Sequence, residues 1–306
     1  MSTLVYPTML DIVKMRGNDP TIALVEEIIQ EIPELRVITS RPIKGTSFKS
    51  LVRTALPVVG FRGLNQGAVQ GKSAYEQRNF ECFAMNPRWN ADKMMADANE
   101  DGAQAYIAME GIGMVTAAGQ SVARQMYYGI TNDAKGFPGL ASFVDSSLVV
   151  DATGSTANGC TSVWAIKASP MDVQLVMGGD GTFDLSDSRI ESVLDSDGNP
   201  FTAYVQEIAS WLGMSVLSKW SVGRICNLSL QSGKTLDDGL LADLIGKFPD
   251  GKRPTALFMH RQSRTQLQKS RTATSPTGAE VPVPTSYEDI PIYASESVSI
   301  TEAVVS

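Results

Sequence analysis

The sequence predicts an α+β protein, and three observations carry that prediction. Residues 37–85 are rich in β-branched, aromatic and glycine residues, as extended segments are. Residues 91–128 repeat their apolar positions every three or four residues, as one long helix requires. From residue 161 onward, short apolar runs of strand length alternate with two shorter helical stretches. No internal repeat is visible. At 306 residues the chain has room for one large domain or two modest ones. With 43% apolar and 19% charged residues it can bury a sizeable core.

A short apolar segment opens the chain and leads into an expected helix. Asp19 can cap it, Pro20 sits at the first helical position, where its missing N–H costs nothing, and Ile22, Val25, Ile28 and Ile29 form one stripe. Pro33 is expected to end it. From Val37 to Met85 a long two-stranded excursion is expected, with a glycine-rich tip around Gly63–Gly71. A solitary hairpin is marginal in water, so this one needs something to lie on.

Asn86-Pro87 punctuates the chain, and Asn90 is the expected cap of a helix over 91–128. Met94, Met95, Ala98, Ala105, Ile107, Ala108, Ile112, Val115, Val122 and Met126 mark its apolar face. Gly102, Gly111, Gly113 and Gly119 each weaken it by up to about 1 kcal/mol relative to alanine, so a kink or break is expected near 99–102. Gly129 closes it. A loop around 136–140 and the polar stretch DATGSTANGC precede two strands, SVWAIKAS and VQLVMG. Residues 201–230 follow as amphipathic strand-like segments holding Trp211 and Trp220. LDDGLLADLIGKFP reads as a helix, RPTALFMH as a buried strand and RQSRTQLQKSR as a basic helix. An exposed loop, TATSPTGAEVPVPTSYED, precedes a closing strand pair in IPIYASESVSITEAVV.

The net charge of −7 hides a marked asymmetry. Residues 36–89 carry nine basic and two acidic side chains, whereas 133–207 carry eleven acidic and three basic. Residues 219–271 are basic again, with ten against four, and five acidic residues from Glu280 onward meet no base. Solvated faces of one globule would account for such blocks. The alternative is a basic extended arm lying on the acidic surface of a neighbouring copy, where complementary potentials set the register of a homo-oligomer. A sequence pI near 4.9 disfavours sequence-specific nucleic-acid recognition.

Chemical motifs are sparse. The single histidine, His260, excludes the usual histidine-rich zinc sites and reads as structural. Cys82, Cys160 and Cys226 are scattered and odd in number, which points to buried reduced thiols. Gly71-Lys72-Ser73 and Gly233-Lys234-Thr235 lack the upstream glycine of a phosphate loop, where Gln66 and Leu228 stand. Asp195 to Pro200 starts like a calcium loop, but Pro200 and Gln206 occupy the positions that need Gly and Glu, so a tight turn is expected. Asp180, Asp184, Asp187, Glu191 and Asp195 cluster without a matched acid, base or nucleophile and read as a solvated rim. No catalytic, cofactor or metal residue is expected. No apolar run is long enough for a membrane helix, and the N-terminus lacks the order of a signal peptide.

The local sequences KMMADANEDGAQAYIAMEGIGMVTAAGQSVARQMYYG, then FPGLAS, DATGSTANGCTSVWAIKA, the run DSDGNPFTAYVQEIASWLGMSVLSKWSVGRICNL and finally RPTALFMHRQSRTQLQ resemble one coat-protein subfamily of tailed bacteriophages. That subfamily includes short-tailed phages, and its capsid fold is shared with encapsulin shells. The resemblance covers nearly the whole chain through the order and spacing of these segments. It implies a structural, non-enzymatic protein that self-assembles as hexamers and pentamers into an icosahedral shell around packaged double-stranded DNA.

It further implies an N-terminal arm (1–45), an extended hairpin loop (46–86), a peripheral domain with a spine helix (87–230, helix about 91–128) and an axial domain (231–306). Because the sequence starts directly with the arm, a separate scaffolding protein or none is expected, along with a portal and a possible decoration protein. No membrane or cofactor is implied, and the expected location is the virion capsid, assembled in the host cytoplasm. Arg53 and Arg62 are the expected cross-subunit charge contacts, with Lys49 and Lys72 as further candidates on the loop; these two lysines are also where a Lys–Asn crosslink of the kind some members make would start. Two alternatives stand beside this reading: an encapsulin-type nanocompartment shell, and, from another class, a hydrolase using the 180–195 carboxylates.

Overall fold

The computed structural model describes residues 32–99, 102–181, 183–275 and 279–305. The helix expected from Asp19 onward therefore lies outside the described residues. Pro33 precedes the one-turn α1 (Glu34–Val37) and accepts the Arg36 and Val37 N–H groups at its carbonyl, a position where proline's lack of an N–H costs nothing.

A short strand β1 (Ser40–Pro42) leads into a two-stranded antiparallel hairpin, β2 (Ser47–Ala55) and β3 (Ala74–Glu81). Then come β4 (Phe83–Met85), β5 (Arg88–Asp92) and the short helix α2 (Lys93–Asp97). The long helix α3 (Ala103–Tyr128) has 26 residues and spans about 39 Å. The expected break falls at Gly102, whose φ of 84° is open chiefly to glycine, and Gly129 (φ 53°) ends the helix. The helix expected from Asn90 starts later. Residues 88–92 are held as a strand by pairing with a longer one, and Asp92, not Asn90, caps α2 by accepting the Met94 N–H.

The C-terminal part supplies β6 (Val149–Asp151), β7 (Thr161–Ile166), β8 (Val173–Met177), β9 (Phe183–Leu185), β10 (Arg189–Leu194), β11 (Pro200–Val216) and β12 (Val222–Leu228). It continues with α4 (Asp238–Gly246), β13 (Ala256–Met259), α5 (Arg261–Thr274), β14 (Ser286–Tyr287) and β15 (Ile290–Ala294). The closing strand pair is β14–β15, earlier than expected. Beyond Ala294 the described chain forms one isolated bridge, Cys160 to Glu302, and no strand.

Two sheets organise the molecule. The seven-stranded sheet is built on β11. β5 and β10 flank its first half, β9 and β4 pair at its middle, and β8 with β1 beyond it line its last five residues. The buried positions of β11 change face between Val205 and Ile208, where its partners change from β5 and β10 to β9 and β4. The six-stranded sheet runs β14-β15-β13-β7-β12-β6. It takes strands from both sides of residue 230, so the expected domain boundary there runs through a hydrogen-bonded sheet.

The six-stranded sheet is buried on both faces, as alternation within β7 and β13 shows. Trp164, Ile166, Ala256 and Phe258 face a core shared with Val122, Met126 and Tyr127 of α3 and with Leu175, Leu212 and Met214 of the other sheet. Val163, Ala165, Leu257 and Met259 face a second core closed by Leu241 and Leu244 of α4 and Leu267 of α5. Strands covered on both sides read as continuous apolar runs, which is why RPTALFMH was legible as buried. The three cysteines are free and buried.

Candidate assembly interface

Among the described residues, the hairpin is the feature that the rest of the subunit leaves uncovered. β2 and β3 pair from Ser47–Glu81 to Arg53–Tyr75, with a bulge before Ala55–Ala74. Beyond it the two limbs run on side by side. Gly71 lies against the backbone of Val58, where a Cβ would come within 2.6 Å, and the Gln66 N–H donates to Gly63 O at the turn. Among the described residues no strand pairs with either outer edge of this ribbon. Leu56, Val58, Val59, Phe61, Leu64 and Val69 are all exposed, Phe61 at 108% and Leu64 at 96%.

The root is anchored as firmly as the tip is bare. Phe80 is buried and stacks on Phe48 at 5.3 Å, with the Arg41 guanidinium over the Phe48 ring at 5.2 Å. The Arg78 guanidinium donates to Leu217 O at 3.2 Å, and the Cys82 N–H to Thr46 O at 2.7 Å. Gly213 of β11 admits the hairpin backbone, since a Cβ there would sit 2.5 Å from Glu81 O. Gly178 does the same against Gly45 O at 2.9 Å.

All four expected contact residues are exposed on this hairpin. Arg53 is engaged within the chain: it lies over the Tyr75 ring at 5.4 Å and donates to the Tyr75 hydroxyl at 3.3 Å. Hydrogen bonds from Ser73 and Arg53 hold that hydroxyl below the ordinary tyrosine range. Arg62 donates to Gln66 O across the tip turn at 3.5 Å. Lys49 stands opposite Asn79, and Lys72 lies in the limb before β3. Among the described residues none of the four forms an ion pair with a carboxylate.

Elsewhere the charge blocks partly neutralise each other inside the subunit. Arg88, at the end of the basic block, pairs with Glu191 of the acidic block at 2.7 Å, and Arg189 bridges Glu191 and Glu207. Lys252 meets Asp172 at 2.6 Å, and Arg271 meets Asp238. Of the carboxylates singled out by sequence, Asp195 closes a turn by accepting the Asp197 and Asn199 N–H groups, and Glu191 belongs to the ion-pair network. His260 caps α5, its Nδ1 accepting the Gln262 N–H, and burial lowers its pKa. No group of residues suited to hold a metal ion occurs among the described residues, and no described helix is long and apolar enough to cross a membrane.

The apolar tip is the functional feature that sequence reasoning missed. LPVVGFRGLNQGAV carries one charge in fourteen residues, although hairpin tips are ordinarily polar. That mismatch between turn position and composition was the available signal. Near the hairpin's foot an open cleft of about 320 Å³ lies between β4 and α3, lined by Phe83, Met85, Pro87, Val122, Phe137 and Leu212.

Comparison with known proteins places this architecture. The structure is similar to that of the bacteriophage Epsilon15 particle, with a TM-score of 0.74 at 20% identity over 100% of this chain and 99% of that one. It is also similar to the bacteriophage JBD30 capsid, with a TM-score of 0.51 at 11% identity over 86% and 90%. A third likeness is to the SrpI encapsulin of Synechococcus elongatus PCC 7942, with a TM-score of 0.50 at 8% identity over 74% and 98%. At these identities the likeness establishes a shared capsid fold. No curated protein matches the chain. The family model described as Major capsid protein GP7 matches residues 9–306. With that match over nearly its whole length, and with the capsid fold beneath it, the chain belongs to the GP7 family of major capsid proteins.

Proposed function

We propose that this chain forms the icosahedral shell of a tailed phage by self-association into hexamers and pentamers, enclosing packaged double-stranded DNA. The observation that carries the reading in this subunit is the hairpin: rooted by close packing, unpaired along both edges among the described residues, and apolar at its tip. A contiguous exposed apolar surface of this kind marks an interaction site, and a second copy is the partner that a shell subunit always has. The contact is heterologous, one subunit's hairpin on a different surface of the next, and such contacts close into rings when the rotation permits. Arg53, Arg62, Lys49 and Lys72, none paired with a described carboxylate, are the cations available to steer that contact.

In this reading residues 1–45 are the arm and 46–86 the extended loop. The peripheral unit is α3 with the seven-stranded sheet. The axial unit is the six-stranded sheet with α4 and α5, which gathers residues on both sides of 230. The subunit acts without catalytic residues, cofactor or metal. It assembles in the host cytoplasm with a separate scaffolding protein and a portal. The encapsulin alternative is weaker, because the family matched along the chain is a phage capsid family.

The test is electron microscopy with size-exclusion chromatography on the full chain, alone and with its scaffold. Closed shells or tubes are the expected result. A variant with residues 56–73 replaced by a two-residue turn should fold and remain small. Normal shells from that variant would overturn the role given to the hairpin.

A further inference from the structure

The C-terminal end of α3 holds two separate chain segments with two consecutive tyrosines. The Tyr128 hydroxyl donates to Glu302 Oε1 at 2.5 Å, clasping the C-terminal segment. The Tyr127 hydroxyl donates to Glu34 Oε1 at 2.8 Å, clasping the segment that enters through α1. The two carboxyls differ in their compensation. Glu302 pairs with the Arg224 guanidinium at 2.9 Å and accepts the Ser162 hydroxyl. Glu34 is 0% exposed, has no ion pair among the described residues, and its Oε2 is buried without a hydrogen-bond partner.

The described groups around Glu34 are neutral. Tyr127 comes from α3 and is itself packed against Trp164 and Phe258, at 5.7 and 6.4 Å between ring centroids. Tyr128 lies beside Tyr127, at 6.3 Å between centroids, and separates this pocket from the Glu302 carboxylate. Ser295 follows β15 and contributes a hydroxyl. On α1 itself the charged neighbour is Arg36, which is exposed. An ionised carboxylate in such a pocket loses its hydration and gains no counter-charge, so the neutral acid is the form that fits.

We propose that Glu34 is a proton-dependent anchor: protonated, it holds α1 and the adjoining Ile32 on α3, and on deprotonation it loosens that segment. Ile32 marks the path, its Cδ1 lying where a Cβ on Gly119 of α3 would come within 3.0 Å. Burial raises the Glu34 carboxyl above the ordinary range, against the weaker opposing pull of Ser295, the α1 backbone and Tyr127. The folded state therefore binds the proton more tightly than the unfolded chain. The anchor is strongest below the ordinary carboxylate pKa and weakens as pH rises through the elevated one. It is a property of the folded subunit and holds whether or not subunits associate.

The test is hydrogen exchange of the full chain, read at the Arg36, Val37 and Ile38 amides and corrected for intrinsic exchange, from about pH 5 to about pH 9. The wild type should lose at least about tenfold in protection across that range, the loss expected from one shifted titration. Glu34→Gln, neutral at every pH and of the same shape, should keep its protection flat. Tyr127→Phe removes a donor that favours the charged form, raises the Glu34 carboxyl further and should carry the loss on to higher pH. Flat protection in the wild type, or the same slope in Glu34→Gln, would overturn the proposal. Should Glu34→Gln fail to fold, the wild-type and Tyr127→Phe profiles decide: without a pH-dependent loss that moves between them, the proposal fails.

Discussion

Asp172 is buried where three parts of the chain meet. It accepts the Ser169 and Ser221 hydroxyls at 2.8 Å each and the Lys252 ammonium at 2.6 Å. Burial alone would push its carboxyl up, but Lys252 and the two serines more than offset it, and the pKa falls below the ordinary aspartate range. The unfolded chain then binds this proton more tightly than the folded one. The stability it contributes is present above the ordinary aspartate pKa and is lost as pH falls through the depressed value. Asp172→Asn should lower stability by about 1.5–3 kcal/mol at neutral pH, the worth of hydrogen bonds to a charged group, and flatten the acid limb of the urea-midpoint profile. Glu302→Ala should cost more, about 3–5 kcal/mol by urea unfolding, because it strands the largely buried Arg224. Neither cluster was legible in the sequence. Asp172 and Lys252 stand 80 residues apart, as Arg224 and Glu302 stand 78 apart, and only the strand order of the six-stranded sheet and its loops brings them together. His260 was legible as structural because a lone imidazole at a strand-to-helix junction has few other roles.

Elements whose reasons are local were readable. The hairpin, the break at Gly102 and the stop at Gly129 follow from spacing and from backbone angles that favour glycine. What decided the rest was pairing at a distance. Residues 91–92 read as the start of the helix, yet β11 claims 88–92 as a strand, and the run from 200 to 216 read as several segments although one 17-residue strand threads the sheet. Gly213 was unremarkable in sequence but sets how closely the hairpin root can lie on β11. Gly213→Val should cost about 1–3 kcal/mol through overpacking against Glu81 and Cys82. Limited proteolysis should then cut faster within residues 46–82, while cleavage at α4 and α5 stays unchanged.

At the scale of the whole molecule, the alternating charge blocks predicted association between copies, and the structure divides that inference. Arg88–Glu191 and Lys252–Asp172 consume part of the opposition within one subunit, so net block charge overstates what is left for a neighbour. The exposed hairpin cations remain. Replacing Arg53 and Arg62 together by Glu should block shell formation seen by electron microscopy while circular dichroism and melting stay near wild type. Shells that form normally would withdraw these two residues from the contact. Raising salt should weaken assembly in the wild type, because exposed charges are screened within about 10 Å at 0.1 M ionic strength.

The way β3 enters the body has a mechanical consequence. Only Cys82 separates β3 from β4, and β4 pairs antiparallel with the middle of β11 from Ser210–Met85 to Leu212–Phe83. A pull along the hairpin therefore arrives lengthwise on a strand whose hydrogen bonds lie across the direction of force. Those bonds are loaded together in shear instead of being peeled one at a time. β11 then spreads the load to β5, β8, β9 and β10, which makes this strand the tension member of the subunit and the hairpin root the place where a stretched lattice should yield last.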